Sequence, residues 1–117
     1  MKHGIIDLEG LRKLSGNDEE FINEILELYS QRVERDIEEL ERAFEAKDWD
    51  ALRFVSHRMR SSSIPLGLKD LVVLLKRTEL ELKSGSLSRI PEYVTRIISI
   101  TKQAQSEVNN LIKEPSS

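Results

Sequence analysis

Apolar residues recur at helical intervals along almost the whole chain. Ile22, Leu26, Tyr29, Val33, Ile37, Leu40 and Phe44 follow one another at steps of 4, 3, 4, 4, 3 and 4. Such steps place all seven on one side of an α-helix. No Gly or Pro interrupts residues 17–64. The stripe predicts one long helix ending near Lys47, roughly 40 Å long at about 1.5 Å per residue. Just before it, Gly16 suits the left-handed position after a helix. Asn17 is the expected N-cap, with Glu20 three residues on as in a capping box. Leu8, Leu11 and Leu14 predict a short first helix over 7–14, with all three on one side.

Beyond Lys47, Asp48 can cap a helix over 49–64, which Pro65 and Gly67 close. A further helix over 68–83 turns Leu68, Leu71, Leu75 and Leu82 inward, and Ser84-Gly85-Ser86 breaks it. The last helix starts near Ser88 with Pro91 in its first turn, where a missing N–H costs nothing. Its seam is Ile90, Val94, Ile97, Thr101, Ala104, Val108 and Leu111, at alternating steps of 4 and 3, the spacing of a helix in a bundle. The connections are short, so neighbouring helices run antiparallel. The expected fold is all-α: an antiparallel up-down-up-down four-helix bundle with a short additional N-terminal helix. One domain spans 1–117, with a core over about 5–113 and a flexible tail at 114–117.

Composition narrows the function. The chain has no Cys, which removes thiol nucleophiles, disulfides and cysteine zinc sites. Only His3 and His57 could supply imidazole, so a multi-histidine metal site is not expected. No apolar run approaches a membrane span, and the N-terminus has no secretory pattern, so a cytoplasmic domain is expected. The net charge of −3 argues against nucleic acid as a partner. Charge is unevenly spread. Residues 18–48 hold 12 acids and 4 bases, whereas residues 51–77 hold 6 bases and 1 acid, and the basic block surrounds His57.

On a helical wheel with Leu52 at 0°, the apolar side of the 49–64 helix centres near 320°. His57 falls near 140°, opposite the core, with Arg60 at about 80°, Arg53 at 100°, Ile64 at 120°, Ser61 at 180° and Phe54 at 200°. His57 is therefore expected at mid-helix, facing solvent, and His3 is expected to have no role. No carboxylate stands at helical spacing from His57. A hydrolytic triad would need an orienting acid and a cleft. A free imidazole is largely neutral at pH 7 and hence nucleophilic. Beside arginines that can meet phosphoryl oxygens, it suits a phosphoryl carrier whose partner brings the rest of the active site.

The run 51–67, ALRFVSHRMRSSSIPLG, resembles the signature of histidine-containing phosphotransfer (HPt) domains of bacterial phosphorelays. Leu52, Ser56, His57, Met59, Ser62 and Gly67 match that signature. Leu71, Leu75 and Glu79 fall where the family has its leucines and the acid of a Leu-Glu pair. Three positions depart from it: Arg60 replaces a Lys, Ser61 a Gly and Thr78 a Leu.

The resemblance implies a phosphorelay intermediate. His57 would accept a phosphoryl group from the phospho-aspartate of a receiver domain and pass it to another receiver. Arg60 and Ser61 would neighbour the phosphoryl group. Arg53, Phe54, Arg58 and Ile64 would meet the partner, and Leu52, Met59, Ser62 and Gly67 would be structural. The domain would be a monomeric carrier, not an independent enzyme, and would need no cofactor of its own. Mg²⁺ would sit on the receiver. Partners would be response-regulator receivers and a hybrid histidine kinase. Two alternatives remain open at this point: an adaptor that binds receivers without carrying phosphate, and the phosphate-accepting domain of a chemotaxis-type histidine kinase.

Overall fold

The computed structural model describes residues 4–112. His3 and the 114–117 tail lie outside the described residues. Five α-helices follow one another: α1 Glu9–Ser15, α2 Glu19–Glu45, α3 Trp49–Ser63, α4 Lys69–Ser84 and α5 Ile90–Leu111. No strand occurs among the described residues. α2 packs against α3 and α5, and α4 packs against the same two, so the long helices close a ring; α1 rests on α2. No described helix is long and apolar enough to cross a membrane.

The predicted seams fill the centre. Leu40 of α2, Leu52 of α3, Leu75 of α4 and Ile97 of α5 are all fully buried. Removing such side chains from water is the main force that holds the ring together, at about 1.5–3 kcal/mol each. Ala43 takes the core place expected of Phe44, which lies half-buried with its ring centroid 6.5 Å from that of Trp49. Thr101 is buried at its seam position, as its spacing predicts.

The structure differs from the sequence reading at the first helix and its turn. Leu14 is 88% exposed, because α1 has only seven residues, about two turns, and reaches the core through Leu11 and the preceding Leu8. Asn17 is not the N-cap. Gly16 (φ 67) and Asn17 (φ 64) are both left-handed, which moves the cap one residue on. Asp18 takes it, accepting the Phe21 N–H at 3.1 Å. Leu111 is exposed in the last turn of α5.

A short segment before α1 straps the end of the ring. Glu107 of α5 accepts the N–H groups of Ile5 (2.9 Å) and Ile6 (3.1 Å), and the Asp7 N–H donates to Leu66 O at 2.9 Å. Gly67, at φ 65, lies against Asp7 so closely that an added Cβ would come 2.3 Å from its carbonyl oxygen. Only glycine tolerates that position.

Candidate functional site

α3 begins where Asp48 Oδ1 accepts the Ala51 N–H at 3.1 Å. Leu52, Val55, Met59 and Ser63 then bury one side. Ser56 and Ser63 satisfy their buried hydroxyls within the helix, on Leu52 O (2.8 Å) and Met59 O (2.7 Å). His57 stands on the other side of α3, with 61% of its side chain exposed.

One edge of the imidazole is held. Glu79, from α4, lies with Oε1 2.9 Å from His57 Nδ1. Its other oxygen, Oε2, accepts Arg60 Nε at 2.6 Å. Arg60 Nη2 lies 3.1 Å from Nδ1 and 3.4 Å from Glu79 Oε1. Nδ1 thus sits between an acceptor, Glu79 Oε1, and a donor, Arg60 Nη2, and Nε2 lies on the far side of the ring. Arg60 Nε serves Glu79, and Nη2 stands between Glu79 and the imidazole.

Glu79 is mostly buried, with 14% of its side chain exposed. Burial pushes its carboxyl up, but the hydrogen bonds and charge of Arg60 and His57 together outweigh burial and hold it below the usual carboxylate value. The bond to Glu79 raises Arg60 above its already high value, so the guanidinium stays charged.

An open groove of about 500 Å³ runs past His57 between α3 and α4. Asp50, Arg53, Phe54, His57 and Arg60 line it from α3, and Glu79, Leu80 and Lys83 from α4. Leu80 and Phe54 leave much apolar surface in water, and Lys83 is exposed. Burying such surface against a partner would stabilise a complex. Among the described residues no cluster of acids and histidines could hold a metal ion.

The expected site residues separate into groups. Arg53, Phe54 and Arg60 share the groove with His57. Ile64 is exposed at the α3 C-cap, outside the lining. Ser61 is exposed, and its hydroxyl donates back to His57 O at 3.3 Å instead of standing free. Arg58 points away. Its Nη2 reaches Asp36 Oδ1 on α2 at 2.7 Å and also contacts Glu39, while its guanidinium carbon lies 5.9 Å from the centroid of the Phe54 ring. Its charge is thus committed inside the domain, where the sequence reading assigned it to a partner. Leu52 and Met59 are core, Ser62 is half-buried, and Gly67 shapes the turn under the strap.

Glu79 supplies the carboxylate that helical spacing within α3 does not. It arrives from another helix, 22 residues along the chain. The advance signal was the Leu-Glu pair downstream of the histidine, which spacing within α3 could not connect to the imidazole. Leu80 and Lys83 likewise had no signal within the α3 segment.

Residues 24–113 match the family model described as the Hpt domain. The match runs from the first turns of α2 through α5 and leaves α1 outside it. No curated protein and no solved structure matches the chain significantly.

Proposed function

Because this chain belongs to the Hpt domain family, whose members serve phosphotransfer in two-component signalling, we propose that His57 carries the phosphoryl group. The observation that carries this reading is an exposed imidazole whose Nδ1 edge is occupied and whose opposite edge is free. In this reading a phosphorylated receiver domain docks over the α3–α4 groove. Nε2 attacks phosphorus in line, the N–P bond forms, and the P–O bond to the aspartyl group breaks with its electron pair on the leaving carboxylate. A second receiver reverses the step. The domain acts as a carrier and supplies a presented nucleophile and positive charge. Mg²⁺, and the acidic residues that hold it, belong to the receiver.

The groove fits that partner. Arg53 and Lys83 set positive charge around the nucleophile, with Asp50 at the rim and Arg60 paired to Glu79, and Phe54 and Leu80 set apolar surface beside it. An acidic, metal-binding mouth rimmed by apolar residues complements both. Short connections between α2, α3, α4 and α5 support an antiparallel up-down-up-down bundle. A role among receivers carries a cytoplasmic location with it.

The test is phosphate uptake from a receiver loaded with labelled phosphate in the presence of Mg²⁺. His57→Gln is expected to abolish acid-labile labelling. Because the side chain is exposed, the change should alter stability by no more than about 0.5 kcal/mol. Labelling that survives in the folded variant would place the acceptor elsewhere.

A further inference from the structure

α4 carries a second seam on its outward side. Lys69, Val73, Lys76, Leu80 and Lys83 follow at steps of 4, 3, 4 and 3, and all five are exposed. Val73 and Leu80 leave 60% and 57% of their surface in water. The outer face of α5 is plainer: no large hydrophobic residue is exposed on it before Leu111. The three lysines have no hydrogen bond or ion pair among the described residues.

An exposed side of α2 carries the complement. Phe21 and Leu28 are exposed there, seven residues apart like Val73 and Leu80. Glu24 stands three residues after Phe21, as Lys76 stands three after Val73. Each charge is therefore offset to the same hand of its apolar pair, by about 60° from Phe21 and from Val73. Glu20 lies on that hand too, as Lys83 does on α4. Glu20 and Glu24 are exposed and have no hydrogen bond or ion pair among the described residues. The two faces cannot satisfy each other within one molecule, because α2 and α4 stand diagonally across the ring and do not pack together.

We infer that the outward face of α4 docks this side of α2 from a second copy of the chain. When two helices face each other, residues on the same hand meet if the helices run antiparallel. Leu28 then lies on Val73 and Phe21 on Leu80, over one heptad or about 10.5 Å. Glu24 meets Lys76 and Glu20 meets Lys83. Burying the apolar pairs supplies the attraction, and the ion pairs set register and direction. Sliding α2 by one heptad, so that Leu28 faces Leu80, brings Arg32 to the level of Lys76, and like charge opposes it. The contact is heterologous: each copy keeps one face of each kind open, so association continues past a dimer. Leu80 and Lys83 also line the His57 groove, so a copy engaged through α4 has one wall of that groove covered. The contact does not depend on the carrier reading, and it replaces the monomeric state that the family resemblance implies.

Sedimentation velocity of the purified chain tests this. The weight-average sedimentation coefficient should rise with concentration up to about 1 mM. The rise should be smaller at about 500 mM salt than at about 20 mM, where screening is weaker. Lys76→Glu and Glu24→Lys each set like charges against one another and should weaken association about tenfold. An equal mixture of the two variants restores an opposite pair at every contact between unlike copies and should recover association. Both positions are exposed, so circular dichroism should show an unchanged fold in each. Val73→Ser leaves every charge in place and should weaken association at both salt concentrations. A chain that stays monomeric throughout overturns the proposal, and so does one that stays monomeric while its α4 face binds phosphatidylglycerol vesicles. Association that none of the three variants weakens belongs to another face and overturns it as well, as does a mixture that fails to recover.

Discussion

Arg58 and Asp36 meet across the α2–α3 interface, with Nη2 and Nε of the guanidinium 2.7 and 3.0 Å from the same carboxylate oxygen. Arg58 follows His57 directly in the chain, and consecutive helical side chains diverge by about 100°. Fixing Arg58 against α2 therefore fixes the direction in which His57 leaves α3. The ion pair at one residue thus joins the buried face of α3 in setting the azimuth of the histidine at the next.

Arg58→Ala is expected to destabilise the domain. Burial pushes the Asp36 carboxyl up, and Arg58 pulls it back only in part. Without Arg58, Asp36 is left buried and unpaired. The arginine is partly exposed, so the loss should be about 1–3 kcal/mol, less than for a fully buried pair. The sign with pH follows. A carboxyl whose folded value lies above its unfolded value binds a proton on folding, so stability falls as pH rises through that window. The deficit of Arg58→Ala in urea midpoint should therefore be smaller near pH 4 than at pH 7.

Glu79 has the opposite signature. Its folded value lies below the unfolded one, near 4.5. Its contribution is thus fully present above about pH 4.5 and is lost as pH falls through the folded value. Glu79→Gln should be less stable than wild type at pH 7, by about 1 kcal/mol for the weakened charge-assisted bonds. Urea melts at pH 7 and pH 3 check this: the two curves should converge at the lower pH.

Arg60→Ala should slow transfer at saturating receiver by roughly ten- to a hundredfold, if the guanidinium supplies about 1.4–2.7 kcal/mol to the transferring group. Its Nη2 already lies 3.1 Å from the imidazole, so little movement is needed to meet phosphoryl oxygens on that ring. Arg60→Lys should keep a charge there but lose the forked grip on Glu79. Rapid-quench measurement of both variants against wild type separates charge from geometry. An unchanged rate in Arg60→Ala would remove the charge role.

Gly67→Ala should be costly although residue 67 is far from any chemistry. The left-handed backbone and the close approach of Asp7 O both oppose a Cβ. A loss of about 2 kcal/mol or more is expected, together with release of the 4–7 strap. Faster amide exchange at Ile5 and Asp7, whose N–H groups are bonded at 2.9 Å in the folded domain, would report that release.

Much of this architecture is legible in the chain because helical period is a local property. The stripe from Ile22 to Leu40 and the seam from Ile90 to Val108 fall in the core as their steps require. The wheel also turns His57 outward correctly, since azimuth depends only on residue number. Contacts between helices are another matter. A wheel gives direction around an axis but no axial register between two axes, so the meeting of His57 with Glu79 had to come from packing. The same holds for Arg58, whose direction alone does not reveal Asp36 within reach of a long side chain. At the α1–α2 turn, a second left-handed residue at Asn17 shifted the cap to Asp18, a choice that depends on backbone geometry over which Asn and Asp compete almost equally.

A ring held at Nδ1 leaves a single open corner, and in the proposed carrier role that would set the order of events in a relay. Donor and acceptor would each have to bring phosphorus or aspartate to the same Nε2, over the same groove, so two receivers could not occupy it together. Loading and unloading are then separated in time, giving ping-pong kinetics with no ternary complex. The unphosphorylated acceptor also becomes a competitive inhibitor of loading. Under that scheme, flux through the domain should rise with acceptor concentration, pass a maximum, and decline.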